Sequence, residues 1–139
     1  MRDESCIFCK IIAGEIPSRK IYEDEDFQVM LDVSPATKGH ALILPKKHYA
    51  NLYELPEELA GKAMCLAKRM AERMTLLLGC DGFNIVQNNN EVAGQTVFHF
   101  HMHLIPRYTA DENGEMIWWK AQKFSDEVLD DLAKKLAQK

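Results

Sequence analysis

The chain has 139 residues, of which 47% are hydrophobic and 27% are charged, with a formal net charge of −4. This length and composition predict one globular domain, residues 1–139, with a hydrophobic core. The acidic balance gives no support to a duplex nucleic-acid partner, because proteins that bind nucleic acid usually present a basic face. The chain has no run of about 18 apolar residues and no signal-peptide pattern after Met1, so we expect a cytoplasmic protein without a membrane partner.

The first predicted element is a short N-terminal helix. Ser5 can cap it, and Gly14 suits the left-handed residue that ends many helices. Cys6 and Cys9 lie within this helix, one turn apart. In a cytosolic chain this spacing indicates either half of a metal site or a redox pair.

Three strands are predicted next, over residues 20–22, 27–31 and 40–44. An acidic turn separates the first two, and Pro45 ends the third. His40 lies at the mouth of the third strand, and the basic segment that follows contains His48. This segment is either a solvated turn or the location of a ligand histidine.

The longest predicted helix spans residues 56–78, with Pro56 in its first turn and Gly79 closing it. Apolar residues advance by three or four and form a core-facing stripe of Leu59, Ala63, Leu66, Met70, Met74 and Leu77. Cys65 and Cys80 have no cysteine at a metal-ligand spacing and are predicted to be small buried apolar groups.

A fourth strand is predicted over residues 83–87, followed by a polar loop over residues 88–95. No P-loop pattern is present. Gly94 allows close backbone approach, and the side chains of Asn88, Gln95 and Thr96 are donors suited to phosphate oxygens. The loop is therefore either a polar hairpin or part of an anion site.

Residues 96–106 place a histidine at every second position. Because successive strand side chains point to opposite faces, this alternation predicts a fifth strand that ends at Pro106. The imidazoles of His99, His101 and His103 would share one face. The other face would carry Phe98, Phe100, Met102 and Leu104. Such a row can chelate one metal ion, or it can do nucleophilic or acid–base chemistry at a phosphate or carbonyl.

The last predicted element is a capped amphipathic helix over residues 125–136. The elements together predict an α+β fold: a five-stranded antiparallel sheet with one long helix, a short N-terminal helix and a C-terminal helix.

The run His99-Phe-His101-Met-His103-Leu-Ile resembles the H-φ-H-φ-H-φ-φ signature of the histidine-triad (HIT) superfamily of nucleotide hydrolases and transferases. The resemblance covers residues 5–108, in the family's order, and leaves residues 109–139 as a C-terminal extension. The continuation after the triad, with the CxxC pair, is more similar to dinucleoside polyphosphate hydrolases and prokaryotic members than to phosphoramidase-type members.

The resemblance implies a covalent mechanism at His101. This residue would attack the α-phosphorus of a nucleotide, oriented by the backbone carbonyl of His99, and water would hydrolyse the nucleotidyl-histidine. His103 would contact the phosphate and the leaving group. The expected substrate is an adenosine phosphoramidate or a diadenosine polyphosphate, with a purine base.

The resemblance also implies a set of residues that bind the nucleotide. The ribose hydroxyls would contact Asp32, and Phe8 and Ile11 would line the base pocket. The remaining candidate contacts are His40, Asn88, Gly94, Gln95, Thr96 and His103. Of these, Asn88, Gln95 and Thr96 would hold the phosphate oxygens where charge builds up, which makes Gln95 a candidate catalytic residue together with the triad.

Two further properties follow from the resemblance. Some relatives carry a structural zinc, and the matching residues here are Cys6, Cys9, His48 and His99. The family is typically a homodimer, and we expect the same here.

Two other functions stay open on the sequence. One is a metallohydrolase whose metal lies on the row of His99, His101 and His103. The other is a nucleotide sensor or scaffold without significant turnover.

Overall fold

A computed structural model describes residues 2–111 and 119–137 of the chain. Within these ranges the predicted α+β class, with five antiparallel strands and three α-helices, is confirmed. Within them one 3₁₀ turn, Glu91–Ala93, follows the fourth strand. The helices and strands are, in chain order, α1 (Ile7–Ile12), β1 (Lys20–Glu23), β2 (Phe27–Leu31), β3 (Ala41–Pro45), α2 (Glu57–Leu78), β4 (Gly82–Val86), β5 (Met102–Arg107) and α3 (Asp126–Leu136).

The five strands form one sheet in the order β1-β2-β3-β5-β4. The central pair is β3 and β5, with Leu42 opposite His103 and Ile43 opposite Met102. The segments that enter these two strands carry His40 and His101. The middle of the sheet therefore holds the residues of greatest chemical interest.

Two helices cover opposite faces of this sheet. Alternate residues of β2 and β3 point to opposite sides, so Val29 and Ile43 pack in one cluster with α2, while Met30 and Leu42 pack with α1. Leu66, at the centre of α2, is 1% exposed. Burial of this apolar stripe holds α2 on the sheet, since packing supplies most of the stability of helices in proteins.

The histidine strand is shorter than predicted. β5 begins at Met102, so His99 and His101 precede it, and Phe98 is 48% exposed instead of facing the core. The backbone N–H of Phe100 donates to the Tyr49 carbonyl. The chain therefore packs here beside the segment after β3 before it joins the sheet.

Pro106 lies inside β5 and does not end it. The ladder between β3 and β5 extends only to Leu104, so a residue without an N–H costs no bond on that side. The Pro106 carbonyl accepts a hydrogen bond from Thr37 Oγ1 at 2.6 Å.

The helix ends and two side chains also differ from prediction. The N-cap of α1 is Cys6, whose sulfur accepts from the Cys9 N–H, and not Ser5. Cys80 is buried as predicted, but Cys65 is exposed because it is turned about 100° from its neighbour Leu66. Leu77 is 68% exposed, and the partly buried residue of the last turn is Leu78.

The C-terminal helix forms as predicted, with the Ser125 hydroxyl accepting from the Val128 N–H at 3.2 Å. No residue of α3 is buried by the described part of the chain, and its exposed apolar residues are Val128, Leu129, Leu132 and Leu136. Among the residues placed in the structure, we find no helix with the length and hydropathy needed to cross a bilayer.

Candidate active site

His101 is fixed by a backbone carbonyl. Its Nδ1 lies 2.7 Å from the His99 carbonyl oxygen, which can only accept a hydrogen bond, so Nδ1 carries the ring proton. In the neutral ring, Nε2 then bears the lone pair. The rings of Phe8 and His101 pack nearly perpendicular to each other, with 5.2 Å between ring centroids. This arrangement makes a directed nitrogen nucleophile.

A second chain of hydrogen bonds fixes the tautomer of His103. The Ala36 N–H donates to His40 Nδ1 at 2.9 Å, so a neutral His40 carries its proton on Nε2. That nitrogen lies 2.9 Å from His103 Nδ1 and 3.5 Å from Asp32 Oδ2. His40 therefore donates to His103 Nδ1, and the ring proton of His103 is on Nε2.

Burial keeps these imidazoles neutral. Desolvation lowers the pKa of His103 to about 4, with smaller contributions from His101 and His40, while Asp32 acts in the opposite direction. Desolvation also lowers the pKa of His101 and of His40 below the usual range. A neutral ring is the form that a nitrogen nucleophile requires.

His99 faces the two cysteines of α1. Its Nε2 donates to the Pro45 carbonyl at 2.8 Å, which leaves the Nδ1 lone pair 3.4 Å from the sulfur of Cys6 and 3.6 Å from that of Cys9. His48 Nδ1 lies 3.4 Å from the Cys9 sulfur. These four residues form a candidate metal cluster whose ligand atoms lie within 4.8 Å of one another.

The spacing of this cluster fits zinc. Zn–S bonds of about 2.3 Å and Zn–N bonds of about 2.05 Å at a tetrahedral angle place sulfur and nitrogen about 3.6 Å apart. The observed sulfur–nitrogen distances are 3.4, 3.6 and 3.4 Å. Outer contacts also suit a metal, because the Asp3 N–H donates to the Cys9 sulfur and the Asp3 carboxylate lies 3.8 Å from His48 Nε2.

The three triad rings do not form one ligand set. In the described residues His99 clusters with cysteines, and His103 clusters with Asp32 and His40. A metal on His40 Nε2 would move the ring proton to Nδ1, where the Ala36 N–H needs an acceptor. The geometry therefore supports neither a single metal on the histidine row nor a metal on Asp32, His40 and His103.

The polar loop before the triad is held internally. Gln95 is 2% exposed, and its amide group donates to the carbonyls of Ala50 and Val97. The predicted contact of this side chain with phosphate would break one of those bonds. The sequence could not predict these two carbonyl partners. Ala50 is distant in the chain, and residue type does not show which backbone carbonyl accepts a side-chain hydrogen bond.

Gly94 and Asn88 lie against each other in this loop. Gly94 has φ +98°, and a Cβ there would lie 3.5 Å from Asn88 Nδ2. Thr96 is exposed next to them. These three predicted phosphate contacts thus belong to one loop that enters the triad.

The predicted base and ribose contacts surround the same region. Phe8 is buried against the rings of His99 and His101, and Ile11 packs beside it under the sheet. Asp32 follows β2, and its Oδ1 accepts from the Ser34 N–H. Its other oxygen faces His40, as described above.

Comparison with known proteins finds curated relatives that include the following three. "Protein hit" of Bacillus subtilis is 43% identical over 137 residues, covering 98% of this chain and 94% of the relative. Adenosine 5'-monophosphoramidase HNT1 of Saccharomyces cerevisiae is 44% identical over 137 residues, covering 99% and 84%. Adenylylsulfatase HINT3 of Arabidopsis thaliana is 42% identical over 106 residues, covering 76% and 54%.

Solved structures agree with these relatives. A HIT family protein from Bacillus subtilis matches with a TM-score of 0.88 and 44% identity over 96% of each chain. A Zn-bound histidine triad family protein from Mycobacterium smegmatis matches with a TM-score of 0.75 and 34% identity, covering 94% of this chain and 97% of that one. The family model of the HIT domain matches residues 13–110, and the chain therefore belongs to the HIT family.

Proposed function

We propose that this protein is a nucleotide hydrolase that cleaves the bond between a nucleoside 5'-monophosphoryl group and a small leaving group, through a covalent intermediate at His101. The observation that carries the proposal is the 2.7 Å contact between His101 Nδ1 and the His99 carbonyl, which leaves Nε2 free to act as a nucleophile. The yeast relative named as an adenosine 5'-monophosphoramidase supports this reaction class.

In the first step, His101 Nε2 attacks the α-phosphorus, and the bond from phosphorus to the leaving nitrogen breaks with its electron pair. The Nε2–H of His103 donates a hydrogen bond to the leaving nitrogen, which takes a proton from water and departs as the amine. The His99 carbonyl stabilises the positive charge that develops on His101.

In the second step, water attacks the phosphorus and breaks its bond to His101. The attacking water gives its proton to the solvent, and the Nε2–H of His103 donates to the phosphoryl oxygens as charge builds up on them. Nucleoside monophosphate leaves with His101 neutral again. His40 contributes by holding His103 Nδ1, so its role toward the nucleotide is indirect.

Apart from His40 and Gln95, whose side chains are held by other residues, we assign the nucleotide contacts as the resemblance implies. Asp32 binds the ribose, Phe8 and Ile11 line the pocket of a purine base, and the loop of Asn88, Gly94 and Thr96 binds phosphate oxygens. Relatives named for phosphoramidate and for adenylyl sulfate support an adenosine substrate. Cleavage of adenosine phosphoramidate ranks first, ahead of diadenosine polyphosphate.

We further propose that Cys6, Cys9, His48 and His99 hold a structural zinc, a set that fits by donor type and spacing. A zinc ion there would tie α1 to the segment that enters β5, and it would leave the chemistry to His101. The Zn-bound relative from Mycobacterium smegmatis supports this assignment. A homodimer and a cytoplasmic location stay predictions of the sequence.

Steady-state hydrolysis of adenosine 5'-monophosphoramidate tests the activity. We expect the wild type to turn over the substrate. His101→Ala and His101→Asn should each lower kcat by about 10³-fold or more, because both remove the covalent nucleophile. Adenylyl sulfate and diadenosine polyphosphates, measured in parallel, rank the leaving groups. A wild type that binds AMP without turnover of any of them would instead favour the nucleotide sensor.

A further inference from the structure

The side chain of Gln95 faces into the protein between two exposed neighbours. Gly94 and Thr96 are exposed, whereas Gln95 is 2% exposed. Its Nε2 donates to the Ala50 carbonyl at 2.7 Å and to the Val97 carbonyl at 3.0 Å. A primary amide has two N–H donors, so both are in use.

The oxygen of the same amide holds a strained residue. Asn90 has φ 73° and ψ 158°, a region that is essentially restricted to glycine. The Asn90 N–H donates to Gln95 Oε1 at 2.8 Å, and the Asn90 carbonyl accepts from the Gln95 N–H at 3.1 Å. Asn51 Nδ2 adds a third contact, to Asn90 Oδ1 at 3.2 Å. The Ala93 N–H also donates to the Asn90 carbonyl, at 3.1 Å. Two of these four contacts thus come from Gln95, and the one made by its side chain is the bond that holds the Asn90 N–H.

These bonds connect the polar loop, residues 88–95, to the triad. Val97 lies two residues before His99, whose carbonyl orients His101, and Ala50 lies two residues after His48. One buried amide therefore joins the polar loop, the segment after β3 and the chain that enters the triad. Displacement of any of these segments would change the approach of a phosphate to His101.

We propose that Gln95 is a positioning residue. It acts through the backbone, by clamping Asn90 in its strained conformation and by fixing the Val97 carbonyl, and its side chain does not touch the nucleotide. The inference rests on the proposed function, since the group that it positions is the phosphate attacked by His101.

The test is a rescue experiment. Gln95→Met keeps the side-chain volume and removes all three hydrogen bonds, and we expect kcat for adenosine phosphoramidate to fall about 10-fold or more, since about 1.4 kcal/mol in the barrier is tenfold in rate. Glycine adopts the Asn90 conformation without strain. We therefore expect Asn90→Gly alone to stay near wild type and to restore roughly 3-fold or more of the activity in the Gln95→Met background, a non-additive effect.

Gln87→Met is the matched control. Gln87 is a half-buried amide whose donors go only to Asn88 and Asn89, so its loss leaves the clamp intact, and we expect kcat to stay near wild type. If Gln95→Met and Asn90→Gly combine without rescue, as a direct contact between Gln95 and phosphate would require, the proposal is overturned.

Hydrogen exchange gives a readout that does not depend on turnover. We expect the Asn90 amide to exchange slowly in the wild type and rapidly in Gln95→Met, with both proteins folded by thermal melt. Unchanged exchange would overturn the clamp even if activity fell. A wild type with slow exchange but no turnover would instead contradict the proposed function, and with it the positioning role.

Discussion

Loss of the cluster of Cys6, Cys9, His48 and His99 should cost the protein a measurable part of its stability. Cys9 is 3% exposed, and its sulfur lies 3.4 Å from His48 Nδ1 and 3.6 Å from His99 Nδ1. We expect Cys9→Ser to abolish zinc binding. A ligand present at 100 times its Kd stabilises the folded state by about 2.7 kcal/mol. For a chain of this size, loss of that stabilisation lowers Tm by about 10 °C.

The assay is metal content by elemental analysis together with calorimetric melting. Cys65→Ser is the control, because Cys65 is an exposed thiol outside the cluster. We expect one zinc per chain in the wild type and in the control, and none in Cys9→Ser. The assignment would be refuted if wild-type protein, produced in zinc-containing medium, contained no metal and had the same Tm as Cys9→Ser.

The same experiment separates structural from catalytic metal. Because no ligand of the cluster supplies the attacking nitrogen, the initial rate measured at 25 °C directly after chelator is added should match that of the untreated enzyme. A metallohydrolase would lose its activity as soon as the ion leaves. An immediate loss, while the protein is still folded by circular dichroism, would favour metal chemistry.

Three further predictions follow from single contacts. Burial lowers the pKa of His103 to about 4 and that of His101 below the ordinary value of 6.5, so kcat/KM should stay level as the pH falls through 6.5 and decline only in stronger acid. A decline centred near pH 6.5 would contradict the burial argument. His40→Phe removes the donor to His103 Nδ1, so kcat should fall about 100-fold in steady-state assays with little change in KM. His40→Gln should retain part of the rate. Equal rates for the wild type and both variants would exclude the role given to His40. Leu66→Ala should lower the free energy of unfolding, measured in urea, by about 2–5 kcal/mol. Leu76 is 84% exposed, so Leu76→Ala should change this free energy by less than about 0.5 kcal/mol. Similar values for the two variants would contradict the assigned core.

Much of the fold could be predicted because periodicity records which side of an element is buried. The alternation around the triad placed Phe100, Met102 and Leu104 on the core face, as observed. It overextended the strand at its start, because alternation does not show whether a neighbouring strand is present to pair with. The segment before Met102 instead packs beside Tyr49 and the cysteine cluster.

The candidate site was less predictable, because its hydrogen bonds join residues far apart in the chain. His40 and His103 meet only because β3 and β5 pair in one register, which the sequence does not state. Gln95 was chosen for its polarity, which cannot show whether an amide faces a ligand or a buried carbonyl. Cys65 was judged by residue type, although its position next to Leu66 on the helix could have indicated exposure.

The central claim is that His101 becomes covalently linked to the nucleotide. Intact-protein mass measured after rapid, acid-free quenching with adenosine phosphoramidate tests it most directly, with His101→Ala as the comparison. We expect one added nucleoside monophosphate on the wild type and none on His101→Ala. Turnover without any adduct at the shortest quench times, or the same adduct on both proteins, would contradict it.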